Sequence, residues 1–105
     1  MPKPLEPAAD AADYAAAVER VRQGAAEAQA HFPPERLPQW VVTESPADHP
    51  GMFVARLWVA LPEPQMTNCL VRAATLAEVR DLLPPGLTCL ARSPADDPVI
   101  VETWL

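Results

Sequence analysis

The sequence is short of the residues from which many small catalytic and nucleotide-binding sites are built. Only 3 of its 105 residues are glycine. None of the three stands in a phosphate-cradling loop, which excludes a Gly-rich nucleotide turn. Lysine occurs once, at Lys3, and the other basic residues are arginines spread along the chain. Only Arg20 and Arg22 come close together, with Glu19 beside them. With 8 basic against 14 acidic residues, a net charge of -6, the surface repels phosphate backbones and argues against nucleic-acid binding. A basic protein partner suits such a surface better. There are two cysteines, Cys69 and Cys89. Neither they nor His31 and His49 stand at C-x-x-C or H-x-x-x-H spacing, so no zinc site is written into the chain. Both cysteines fall in apolar runs and are expected as small buried thiols, able to bridge only if their strands are neighbours. No run of eighteen apolar residues occurs, which argues against a membrane-spanning helix. The opening MPKPLEPAAD lacks an apolar secretory core. The expected location is cytoplasmic, with no cofactor and no metal.

Proline and alanine are abundant instead. The 14 prolines punctuate the chain, and most of the alanines lie in its first third. The length fits one domain of 8–105 behind a flexible, proline-rich tail at 1–7. Residues 8–32 are expected to form a helix, with Tyr14, Val18, Val21, Ala25, Ala28 and Phe32 on one thin stripe. Pro33 and Pro34 end it. The core follows at 40–105. WVVTE (40–44) is a first strand and MFVARLWVAL (52–61) a second, with strict alternation between two faces. A third strand runs near 68–74. TLAEVRDLLPPG (75–86) is a short helix, with Thr75 and Glu78 at capping-box spacing and Pro84, Pro85 and Gly86 at its end. LTCLAR (87–92) and VIVETWL (99–105) complete the set. The order α-β-β-β-α-β-β predicts an α+β domain around a mainly antiparallel sheet of about five strands.

One hexapeptide occurs twice with a single change, SPADHP at 45–50 and SPADDP at 93–98. Each copy lies between two strands. Ser-Pro suits the first two positions of a type I turn, Asp48 and Asp96 can accept from nearby backbone amides, and the closing Pro50 and Pro98 each mark a strand start or an edge. Ser45, Asp48 and His49 have the residue types of a nucleophile triad. All three crowd into five positions of one turn with no G-x-S-x-G elbow, so catalysis is not expected there. His49 against Asp97 is the position the turn does not need. Asp48, Asp96 and Asp97 are expected as turn carboxylates rather than calcium ligands.

Alternation in the second strand puts Phe53, Leu57 and Val59 on one face, which the short helix should cover. The other face carries Val54, Arg56 and Trp58. By the same rule it also takes Leu70 and Arg72 from the third strand, and Ile100, Glu102 and Trp104 from the last. Two tryptophans, a leucine and an isoleucine should not face bare solvent together. Either the N-terminal helix lies over them, with Arg56, Arg72 and Glu102 paired across strands at its rim, or this face binds another chain. A symmetric homodimer is the simplest version of the second case.

The stretches ATLAEVRDLLPPGL and ARSPADDPVIVETWL resemble short uncharacterised bacterial proteins. The β-β-β-α-β order, with AATLAEV opening the helix after the third strand, is similar to HicB-like antitoxin domains. In that family an acidic partner neutralises a small basic toxin. The glycine and proline signature of those domains is absent between these strands, and there is no DNA-binding appendix. The resemblance implies a protein-binding module. The expectation is a small non-catalytic protein-interaction domain, with an antitoxin-like or regulatory binder of a basic protein as the alternative, ahead of a small enzyme.

Overall fold

Trp40 sits at the middle of the architecture. In the computed structural model, which describes residues 11–105, it is 1% exposed and lies in the central strand of a five-stranded sheet. The chain runs α1 (Ala11–Ala30), a 3-10 turn (Pro34–Arg36), β1 (Pro38–Glu44), β2 (Phe53–Val59), β3 (Gln65–Ala73), α2 (Leu76–Asp81), β4 (Cys89–Ala91) and β5 (Ile100–Trp104). All pairings are antiparallel, in the order β3-β2-β1-β5-β4. This is the expected α+β class. The expected tail at 1–7, and the helix start at 8, lie outside the described residues.

The order of strands dictates where α2 goes. β3 and β4 are opposite edges, so the chain must cross the whole sheet between them. It does so over the face carrying Trp40, Val42, Ala55, Leu57 and Val71, against which Val79 and Leu83 are buried. Thr75 caps α2: its hydroxyl oxygen accepts from the Glu78 N–H at 3.2 Å and donates to Glu78 Oε1 at 2.9 Å. The helix is shorter than 75–86. At Leu82 and Leu83 the amides bond back three residues, to Val79 and Arg80, tightening the last turn before the prolines. Gly86 then takes φ 82°, a conformation that glycine adopts without a Cβ penalty.

α1 lies on this same face, not on the opposite one. Ala25 is buried in the core, with Ala28 and Phe32 packed against it. The stripe is rotated from the expected one, since Ala17 is buried and Val21 is exposed. Two polar ties hold the helix. Gln29 Oε1 accepts from Trp40 Nε1 at 2.8 Å. The Arg22 guanidinium donates twice to the Asp81 carbonyl, at 3.1 and 2.8 Å. Small alanines let α1 come close, and Trp40 needs an acceptor for its indole N–H where it is buried. The buried indole N–H, and with it the acceptor that Gln29 supplies, lies on the Trp40 side of the sheet.

Gly24 lies exposed in the middle of α1, and a Cβ there would meet nothing within 4 Å. Gly24→Ala is expected to stabilise the protein by about 0.5–1 kcal/mol, read as a higher urea midpoint with unchanged slope.

Candidate functional site

With both helices on one side, the other face of the sheet carries no helical layer among the described residues. Three rows cross it along the ladder. Arg72, Val54, Thr43 and Ile100 form the first. Leu70, Arg56, Val41 and Thr103 form the second. Met66, Trp58 and Gln39 form the third. Six of the eight expected interface residues are therefore together: Val54, Arg56, Trp58, Leu70, Arg72 and Ile100.

Glu102 and Trp104 are not with them. A bulge in β5 shifts the register, so that Val42 pairs with Glu102 while Thr43 pairs with Ile100. The extra residue, Val101, packs toward the core. A bulge reverses the facing of every residue beyond it, so strict alternation from Ile100 fails. Trp104 pairs with Trp40 and packs on the core. Glu102 is 5% exposed, the one buried charged residue among the described residues. A buried carboxylate must be paired or hydrogen-bonded. Here Arg80 of α2 donates to both its oxygens, Nε at 2.9 Å and Nη2 at 2.6 Å. Trp104 Nε1 donates to it as well. The Arg80 hydrogen bonds hold the Glu102 carboxyl below its ordinary range, against the opposing effect of burial. Glu102 thus makes no rim pair with Arg56 or Arg72.

The open face is walled at one end by both copies of the repeat. Glu44 N–H donates to the Val99 carbonyl at 2.9 Å, which sets the two loops side by side. Pro46, Ala47 and Asp48 from the first, with Asp97 and Val99 from the second, border a groove of about 550 Å³ over Val41, Val54, Trp58 and Ile100. The loops have different turns. In the second copy the Asp96 N–H donates to the Ser93 carbonyl at 3.0 Å and Asp96 Oδ2 accepts from Ser93 N–H at 2.9 Å, the expected Ser-Pro turn. In the first copy the turn starts one residue later, with His49 N–H donating to the Pro46 carbonyl. Ser45 is held at φ 49°, and its hydroxyl accepts from the Gly51 N–H.

Asp48 is diverted from the backbone because Arg56 reaches it, Nη2 to Oδ2 at 2.9 Å. The same guanidinium donates to the Thr67 carbonyl at 3.2 Å. Thr67 occupies a second irregularity, where β3 slips against β2 between Arg56 and Trp58. Its hydroxyl donates to the Leu57 carbonyl and accepts from Cys69 N–H. Arg56 therefore pins the first loop and the slipped part of β3 to one point. His49 Nδ1 lies 3.2 Å from Arg72 Nη1, and its Nε2 lies 3.6 Å from Asp48. Ser45, Asp48 and His49 are thus each engaged with other groups. Asp97 is structural too, since its Oδ1 accepts from Val99 N–H at 3.1 Å, so the varied position serves both loops.

Both cysteines are exposed rather than buried, because β3 and β4 are the edge strands and an apolar run there does not imply cover. At opposite edges they cannot bridge. Desolvation around Sγ, then the nearby Glu102 carboxylate, push the Cys89 thiol up, which keeps it protonated rather than nucleophilic. Among the described residues no cluster of three or more His, Cys, Asp or Glu side chains could hold a metal ion, and no helix is long and apolar enough to cross a membrane. Sequence alternation reached the middle of the groove but missed three of its parts. Val41 was readable as the residue between Trp40 and Val42. Met66 was hidden by a strand that begins at Gln65, closer to the prolines than expected. The role of the loops as walls depends on strand order, which no local pattern states. Comparison of the chain with protein-family models, curated proteins and solved structures finds no match to any of them.

The Glu102 site gives an acid dependence with a definite sign. Its carboxyl takes up a proton less readily in the folded than in the unfolded state, so its contribution is fully present above the ordinary carboxylate range. That contribution is lost as pH falls through this range toward the lower folded value. Glu102→Gln should cost about 1–3 kcal/mol at neutral pH. The gap to wild type should narrow in urea titrations as pH falls toward about 3. A gap independent of pH would contradict the assignment.

Proposed function

We propose that the protein is a small non-catalytic protein-interaction domain that binds through the open face of its sheet. The observation that carries this reading is the placement of both helices on one side. Among the described residues it leaves no helical layer over the Trp58 face, where Val54 is buried beneath its neighbours, Trp58, Leu70 and Ile100 are half-buried and Met66 is exposed; partly exposed apolar patches of this kind serve as interfaces. Tryptophan, methionine and arginine are the residues enriched at interface centres. Trp58, Met66 and Arg56 lie close together here, and Met66 is 58% exposed. Arg56 is already ion-paired with Asp48, so a partner covering it does not have to neutralise a buried charge. The slipped edge of β3 argues against strand addition as the binding mode, because irregular edges resist pairing.

A basic protein as the partner is the alternative, in keeping with the likeness to antitoxin domains. It is favoured by the net charge of -6 and by the exposed Asp97 carboxylate at the lip of the groove. A photo-reactive phenylalanine analogue in place of Trp58 tests the reading in the source cell. Irradiation should yield a protein adduct at position 58 and none at position 15, an exposed site on α1. Absence of an adduct at position 58 overturns the reading, and the mass of the adduct tells a second copy from a different protein.

A further inference from the structure

The open face is charge-complementary to itself, and we propose that its occupant is a second copy of this chain, seated by a twofold axis parallel to the strands. This inference rests on the reading of the face as a protein-binding surface and names the partner. Its charged groups fall into two sets. Arg56 and Asp48 neutralise each other within one chain. Arg72, at the β3 side of the first row, reaches among the described residues only an imidazole nitrogen of His49. Asp97, in the second loop just before β5 and beyond that row, accepts at its carboxylate from the Val99 N–H. Among the described residues neither has an oppositely charged side chain within ion-pair distance. The loop end of the face therefore carries, among the described residues, an arginine on its β3 side, reaching up to His49 of the first loop, and a carboxylate on its β5 side in the second loop, neither paired with an opposite charge.

An isologous contact must be self-complementary. Of the in-plane axes, one perpendicular to the strands would turn the loop end of one copy onto the Trp58 end of the other, and no opposite charges would meet. The axis parallel to the strands exchanges left and right and keeps the height. It places each Arg72 against the second copy's Asp97, twice per dimer, and lays the Trp58 row of one copy against that of the other, farther from the loops. Four strands about 4.8 Å apart and roughly seven residues long, at about 3.3 Å each, give a flat footprint on the order of 450 Å². Side-chain relief and the loop walls add to this flat figure, which stands against ~800 Å² per partner for a standard interface.

The test is sedimentation of the full chain and two charge-reversed variants, alone and mixed. Wild type should sediment as a dimer, and Trp58→Glu as a monomer. Arg72→Asp and Asp97→Arg should each weaken self-association roughly tenfold or more, since like charges then face each other twice. Mixed in equal amounts, these two variants should recover dimer, because the heterodimer has an opposite pair at both contacts. Both substitutions are at exposed positions, and circular dichroism of each alone checks that it folds. A wild-type monomer overturns the inference, as does a dimer indifferent to Trp58→Glu or a mixture no more dimeric than its components. A wild-type monomer that still gives an adduct at position 58 with another protein overturns the second copy and leaves the binding face standing.

Discussion

The carboxylate of Glu102 is the constraint on which much of the molecule depends. A charge that has left water must keep its partners, and Glu102 has three hydrogen bonds from two side chains, Arg80 and Trp104. Arg80 belongs to a six-residue helix, too short to stand without tertiary support. The pair therefore fastens α2 to β5 at the far side of its crossing, where Val79 and Leu83 alone would hold only the middle. The bulge that turns Glu102 inward also turns Trp104 inward. It places Trp104 on the core beside Trp40 and leaves Ile100 on the other side.

That single reversal separates the two faces. One collects both helices, both inward tryptophans and the buried ion pair. The other keeps Trp58, Arg56 and Met66, with a groove walled by loops that differ in one residue. The loops are alike in sequence because both must turn the chain between antiparallel strands with Ser, Pro and Asp. They differ in bonding because only the first lies within reach of Arg56. Asp48 exchanges a backbone contact for an ion pair, and the turn moves by one residue to allow it.

Much of this was legible in the sequence. Alternation in FVARLWV gave the faces of β2, Thr75 and Glu78 marked the start of α2, and the prolines marked the ends of several elements. What stayed hidden was of one kind. The bulge at Val101 leaves no signature in VIVETWL, since its residues suit an uninterrupted strand equally well. The side chosen by α1 depends on Gln29 meeting Trp40 and Arg22 meeting the Asp81 carbonyl, contacts that exist only after the sheet is ordered. Cys69 and Cys89 looked buried because apolar neighbours cannot reveal that a strand is an edge. Local pattern carried the elements, and strand order decided what covered them.

The central position of β1 has a consequence for when the groove comes into being. β1, β2 and β3 form a meander of neighbours in sequence, whereas β5 reaches β1 only from the other end of the chain. Contacts of such long range close late, because the entropy of the intervening loop must be met first. One wall of the groove and Ile100 arrive with β5. A chain still emerging from synthesis, or one clipped before Ile100, can form the meander and yet has no groove. The groove with both its walls is thus available only once β5 has docked, and whatever needs both walls reads the docked state of β5 as well as the identity of the face.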